Sequence, residues 1–399
     1  MSESCQLSRP MRQSFAMDTR QTFRRRGIVE GFFGPVWSMA HRRRLFEFGA
    51  ARGMNTYLYA PKDDPYHRER WTSPYPAQQW QALLTLIREA QERHIDFVYG
   101  FHPGKGLLFT ADQPIRVLLS KAQRFYDAGV RIFAVLFDDI PSRLAHASDR
   151  QHFKNSLARA EGTWLAEINA RQPAAWADVE WWICPSFYTP DPLLAHVFGA
   201  FEPHFLENLA ECLPPNLPCC WTGPAVVSTK ISLPHVRKIA KLVGQPLILW
   251  DNYPVNDLSM KDELHIGPLQ KRDPHLPQAV YGYLNNPLVQ EELSFIPLAT
   301  CFDYAANPAT YKAEKSWNAM VTRSFGAGAT VHWRAIRTFC ERVKRGKPAK
   351  HPLRFSRKEV KALQDAADYL NAHPQEKWAA EIKPWKEQIE RALKAQKLS

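Results

Sequence analysis

The 399-residue chain has no stretch of about 18 uninterrupted apolar residues, which excludes an ordinary membrane-spanning helix. Its first 26 residues carry Arg and Ser but no apolar h-region, so a secretory signal is not expected and a cytoplasmic location is. Seven cysteines, at 5, 184, 212, 219, 220, 301 and 340, are scattered and odd in number. The adjacent pair Cys219-Cys220 has no metal-ligand spacing, and the set suits reduced thiols rather than a disulfide framework. Missing too are a Gly-x-x-x-x-Gly-Lys-Ser/Thr phosphate loop, a Gly-x-Ser-x-Gly nucleophile elbow and paired His-x-x-x-His ligands. These absences disfavour nucleotide chemistry, serine hydrolysis and the commonest zinc hydrolases, and no cofactor is called for.

The formal charge of +12 suggests nucleic acid until it is located. Residues 1–26 hold 6 basic and 2 acidic side chains, and residues 340–399 hold 15 and 8, which is +4 and +7 and leaves +1 for residues 27–339. The basicity sits on the two ends, where solvated faces are its usual use. A nucleic-acid partner is therefore ranked last.

What the chain does have is an alternation of apolar β-like runs with amphipathic stretches, repeated eight times from Gly27. The predicted strands are Gly27 to Phe33, Asn55 to Ala60, Asp96 to Pro103, Arg131 to Asp139, Val179 to Tyr188, Pro218 to Val226, Pro246 to Asn252 and Ala279 to Asn286. They lack the polar alternation of a half-wet strand and so read as buried on both faces, as in parallel α/β sheets. Eight repeats in about 300 residues fit one (β/α)8 TIM barrel, with a doubly wound open sheet as the alternative. After about Pro308 the strand signal stops. Residues 309–399 read as a basic helical region, with helices over Ser356 to Asn371 and Gln375 to Lys394 and a Gly/Pro linker over Lys344 to Pro352. Residues 1–26 read as a flexible basic extension and residues 27–308 as the barrel. Exposed helices after the barrel could pair two subunits in a homodimer.

In such barrels active sites gather at the carboxyl ends of the strands. Here those ends carry Gly31, Lys62, Asp138-Asp139, Tyr188, Trp250-Asp251-Asn252 with Asp257 beyond, and Asn286. Singly, each has a plain explanation: a helix cap for an Asp, a partner in Asp63 or Asp64 for Lys62, a turn before Pro287 for Asn286. Together they set hydroxyl-binding groups beside an aromatic wall, as a sugar requires. A metal hydrolase using Asp138, Asp139 and His102 as ligands is a further reading. Consecutive residues on a strand point to opposite faces, so Asp138 and Asp139 make an awkward nucleophile-and-acid couple for ordinary glycoside hydrolysis. The pair fits better where a 2-acetamido group on the substrate supplies the nucleophile.

Seven segments then carry a resemblance, in order, across residues 27 to about 305. They are Gly27-Ile-Val-Glu-Gly-Phe-Phe-Gly-Pro-Val-Trp37, Asn55-Thr-Tyr-Leu-Tyr-Ala-Pro-Lys-Asp-Asp-Pro-Tyr-His-Arg68, Leu136-Phe-Asp-Asp-Ile140, Cys184-Pro-Ser-Phe-Tyr188, Trp221-Thr-Gly-Pro224, Leu249-Trp-Asp-Asn-Tyr-Pro-Val-Asn-Asp257 and Asn286-Pro287. The chain resembles the family 84 glycoside hydrolases, β-N-acetylglucosaminidases that include protein O-GlcNAcase catalytic domains. The resemblance implies a (β/α)8 fold, hydrolysis of terminal β-linked N-acetylglucosamine through an oxazoline, and an N-acetylglucosaminide substrate such as an O-GlcNAc-modified protein. It implies that Asp138 orients the acetamide and Asp139 is general acid and base. It gives Tyr188 and Asn252 to the acetamido group, Trp250 to the pocket wall for the acetyl methyl, and Lys62, Asp257, Asn286 and the Gly31 backbone to the sugar hydroxyls. Two positions depart from the family pattern: Phe33, where a tyrosine is usual, and His102, where a small or apolar residue is. The competing reading is a catalytically weak sugar-binding module that recruits a partner through its helical tail.

Overall fold

Short runs that are apolar on both sides can hide only in a sheet covered on both faces, and closing that sheet removes its edges. The computed structural model describes residues 21–343 and 354–397. Its strands are β1 (Arg25–Glu30), β2 (Thr56–Tyr59), β3 (Asp96–Phe101), β4 (Ile132–Leu136), β5 (Glu180–Cys184), β6 (Cys219–Trp221), β7 (Leu247–Asp251) and β8 (Gly282–Asn285). They form one closed barrel in chain order, with β1 pairing in parallel to both β2 and β8. Val29, Leu58, Val98, Ala134, Trp182, Cys220, Ile248 and Leu284 fill the interior. Their strand neighbours, among them Ile28, Tyr57, Phe97, Phe133, Trp181, Cys219, Leu249 and Tyr283, belong to the cluster beneath the surrounding helices. Both faces being buried explains why the sequence shows no polar alternation.

The helices among the described residues are α1 (Met39–Ala50), α2 (Ala77–Glu92), α3 (Asp112–Asp127), α4 (Ala147–His152), α5 (Leu157–Arg171), α6 (Pro192–Phe198), α7 (Phe205–Ala210), α8 (Leu233–Val243), α9 (Glu291–Ala306), α10 (Ala313–Phe325), α11 (Thr330–Arg342), α12 (Arg357–Ala372) and α13 (Ala379–Lys397). None of them is long and apolar enough to cross a membrane. Each predicted strand is present but shorter. Arg131 to Asp139 contracts to Ile132–Leu136, and Pro218 to Val226 to Cys219–Trp221, because the ladder stops where polar loops begin while the apolar run continues. At the other end β1 starts before Gly27, and the fully buried Phe23 stacks on Tyr283 at 5.1 Å. Residues 1–20 of the expected basic extension and the expected linker over 344–352 lie outside the described residues.

The C-terminal helices form a second core that meets the barrel at α9. Leu293 and Ile296 of α9 pack with Trp317, Trp333, Trp378 and Trp385, while Leu298, Cys301 and Phe302 of the same helix pack with the barrel. The Glu381 carboxylate on α13 accepts the Glu292 and Leu293 backbone N–H groups at 3.0 and 2.9 Å, capping the α9 N-terminus from another part of the chain. Trp385 Nε1 donates to the Asp262 carbonyl at 2.9 Å and Trp317 Nε1 to the Ile266 carbonyl at 2.6 Å. The loop after β7, which carries Asn252 and Asp257, is thereby pinned by the helical region.

Candidate active site

The barrel mouth is organised by what happens after β4. Ladder pairing ends at Leu136, Phe137 N–H reaches the Cys184 carbonyl at 2.8 Å, and Asp139 adopts a left-handed φ of 60°. Asp tolerates this conformation better than most residues. The turn breaks the period-two alternation, so the carboxyls of Asp138 and Asp139 both line one cavity of about 300 Å³. The expectation that consecutive carboxylates must oppose each other fails because the second one has left the strand.

Lys62, beyond β2, ties the pair together. Its ammonium donates to Asp138 Oδ2 and lies 3.7 Å from Asp139 Oδ2. Burial works against the Lys62 charge, but the Asp138 and then the Asp139 carboxylate outweigh it and hold its pKa above the usual lysine value. Asp63 and Asp64 do not pair with Lys62; buried Asp64 accepts the Tyr59 and Tyr75 hydroxyls at 2.7 Å each. Tyr188 donates its hydroxyl to Asp139 Oδ1 at 3.0 Å, and burial followed by the two carboxylates pushes that phenol's pKa up, so it stays protonated. The other oxygen of Asp138, Oδ1, is buried with no partner.

The opposite wall is a small amide network. Asn252 Oδ1 accepts from Trp250 Nε1 at 3.1 Å and Asn286 Nδ2 at 2.9 Å, while Asn252 Nδ2 donates to the Val226 carbonyl at 2.8 Å. Asn286 Oδ1 accepts the Gly31 N–H at 3.3 Å. Gly31 must be glycine here, since a Cβ would sit 2.3 Å from the Trp250 ring. Asp257 Oδ2 accepts the Phe33 N–H at 2.7 Å; burial raises the Asp257 pKa against that hydrogen bond. The Phe33 ring lies 5.7 Å from Lys62 Nζ and 5.0 Å from the Arg68 guanidinium, filling the mouth with a cation-contacting face. All nine sequence-predicted residues, Gly31, Lys62, Asp138, Asp139, Tyr188, Trp250, Asn252, Asp257 and Asn286, line the same cavity.

Other polar residues at strand ends point elsewhere. Glu30 is fully buried beneath α1, where Arg42 grips it at 2.9 and 2.6 Å and Tyr57 adds a hydroxyl. Asp251 is likewise held by Arg272 at 2.7 and 2.6 Å and by Tyr283. Period-two counting from Gly31 and Trp250 identifies both as outward-facing. His102 is not placed as a metal ligand: its Nε2 donates to the Asp138 carbonyl at 2.8 Å, and among the described residues no three His, Cys, Asp or Glu side chains gather as a metal-binding group. Burial, reinforced by Lys62, pushes its pKa well down, so it acts as a neutral strut under the acidic pair. Sequence reasoning also missed Glu161 on α5, fully buried, whose Oε2 accepts the Ser186 N–H at 3.2 Å two residues before Tyr188. Burial pushes its pKa up to about 8.

Paired carboxylates, a buried ammonium, a phenol and an amide network thus gather around one small mouth of a (β/α)8 barrel. The model of the β-N-acetylglucosaminidase family matches residues 26–341, and the chain belongs to that family. It is 33% identical over 276 residues to the protein O-GlcNAcases of Rattus norvegicus and Mus musculus. Those matches take in 69% of this chain and 29% of each relative, so the chain spans under a third of their length. Among solved structures, a mutant O-GlcNAc hydrolase of Thermobaculum terrenum superposes with a TM-score of 0.85 at 32% identity, covering 94% of this chain and 83% of that one. CpGH84B gives 0.77 at 26% identity, covering 94% and 69%.

Proposed function

We propose that this chain hydrolyses terminal β-linked N-acetylglucosamine, including O-GlcNAc on proteins, by substrate-assisted, retaining catalysis, and that it does so in the cytoplasm. The observation that carries the reading is the unpartnered, buried Oδ1 of Asp138 in a cavity it shares with Asp139. A buried acceptor without a donor is costly, and a substrate acetamide N–H satisfies it. That hydrogen bond presses the acetamide carbonyl oxygen toward the anomeric carbon. In the first step this oxygen forms a bond to the anomeric carbon as the glycosidic C–O bond breaks, and Asp139 gives its proton to the leaving oxygen. In the second step Asp139 takes a proton from water, whose oxygen bonds to the anomeric carbon as the bond from that carbon to the acetamide oxygen breaks. The N–H proton that Asp138 accepted as the oxazoline formed returns to nitrogen, which regenerates the acetamide with retained configuration. Lys62 offsets charge on the pair, and Tyr188 orients the Asp139 carboxyl. Asn252 and Trp250 are assigned to the acetamido group and its methyl, and Lys62, Asp257, Asn286 and Gly31 N–H to the ring hydroxyls.

The test is hydrolysis of an aryl 2-acetamido-2-deoxy-β-glucoside, with a plain aryl β-glucoside as control, by wild type, Asp138→Asn and Asp139→Asn. Activity confined to the acetamido substrate is expected, with kcat falling about 10²- to 10⁴-fold in each variant. Equal turnover of the plain glucoside would remove the acetamide from the mechanism, and a well-folded but inert wild type would remove the activity.

A further inference from the structure

A second, larger cleft of about 540 Å³ has among its lining residues Ile140, the residue after Asp139. It lies between the β3–α3 and β4–α4 loops. Its floor is apolar, built from Leu107, Phe109, Ile140, Leu144 and Leu157. The two walls are fastened together. The buried Asp149 carboxylate accepts the Phe109 and Thr110 N–H groups at 3.0 and 2.9 Å and the Thr110 hydroxyl at 2.7 Å, and His146 Nε2 donates to the Gly106 carbonyl at 2.8 Å. Three cations stand on it. Arg150 is occupied by the Leu144 and Ala145 carbonyls at 3.0 and 2.9 Å. Lys105 and Arg143 are exposed and form no hydrogen bond or ion pair with any described residue. None of the described residues that line the cleft is acidic, and Asp149 behind it is taken up by two backbone N–H groups and the Thr110 hydroxyl.

We propose that this cleft receives the polypeptide part of a glycosylated substrate and selects acidic residues flanking the modified Ser or Thr. The proposal rests on the glycosidase reading above. A general acid works at the glycosidic oxygen, so the aglycone extends over the loop that carries Asp139, and that loop leads straight into the cleft. An apolar floor offers little to a glycan, whose hydroxyls need donors and acceptors. It suits the apolar side chains of an extended peptide, while Lys105 and Arg143 attract carboxylates between them.

The experiment compares kcat/KM for three O-GlcNAc peptides, with Asp/Glu, Ala or Lys flanks, in wild type and Lys105→Glu/Arg143→Glu, using the aryl N-acetylglucosaminide as reference. Wild type should prefer the acidic peptide over the neutral one by about fivefold at low salt, as two exposed ion pairs permit. The preference should fade toward about 1 M salt, where screening is short-ranged. The double variant should favour the Lys-flanked peptide while cleaving the aryl substrate at the wild-type rate. Indifference of wild type to the flanks, or an equal loss on peptide and aryl substrates in the variant, overturns the cleft assignment alone. A wild type inert toward the aryl substrate overturns the glycosidase reading and the cleft with it.

Discussion

Replacing Glu161 by Gln should stabilise the protein, and by an amount that grows with pH. Glu161 is wholly enclosed between α5 and the β5 loop, with one oxygen accepting the Ser186 N–H and the Ser186 hydroxyl beside the carboxyl. Burial lifts its pKa from 4.5 in the open chain to about 8 in the fold. Between those values the native state holds a proton that the unfolded chain has released. The contribution of Glu161 is therefore fully present below about 4.5 and is lost as pH rises through about 8. At about 1.4 kcal/mol per pH unit the cost reaches roughly 3 kcal/mol at pH 7 and levels off near 5 kcal/mol above pH 8. Glutamine keeps the acceptor for Ser186 N–H, gives its own N–H₂ to the Ser186 hydroxyl and never ionises. Urea titrations of both proteins at half-unit steps from pH 5 to 9 should give stability curves that start close together and diverge by about 4 kcal/mol. Parallel curves would refute the argument, since they would mean that Glu161 is charged, and solvated, in the fold.

Gly31→Ala should lower kcat/KM by about tenfold or more, because the new methyl would sit 2.3 Å from the Trp250 ring and force the pocket wall outward; unchanged steady-state kinetics would show that the wall gives way freely. Arg42→Ala should cost about 3–5 kcal/mol in urea unfolding by stranding the buried Glu30 carboxylate, and Arg42→Ala combined with Glu30→Gln should recover part of it. A single-variant loss under about 1 kcal/mol would show that water reaches Glu30.

The barrel was legible because strands buried on both faces leave continuous apolar runs, as Ile132 to Leu136 does, and because acidic, amide and lysine side chains interrupt those runs at one end. Their limits were not, since Phe137 is as apolar as the strand before it although the β4–β5 register ends one residue earlier, at Leu136. The convergence of Asp138 and Asp139 was hidden for a related reason: the left-handed turn is made by Asp139 itself, with no glycine to announce it. Polar strand-end residues fall into two sets, and only the facing rule separates Gly31 from Glu30 or Trp250 from Asp251. His102 stood out in the sequence only as an oddity, and its function as a strut needs the β3–β4 adjacency to be seen. Glu161 lies on a helix whose buried side cannot be assigned from one amphipathic pattern to the loop behind Tyr188.

The double burial of α9 has an evolutionary consequence. A chain cut after residue 308 would retain every strand and every pocket residue, yet it would lose the Glu381 cap and lay bare Leu293 and Ile296. It would also release Asp262 from Trp385 and so slacken the loop that presents Asp257. Recombination that swapped the tail for an unrelated module would inherit a barrel with its last repeat unfinished. Barrel and helices are in this sense one exchangeable part, and sequence drift in α13 is answerable to the cavity at the barrel mouth.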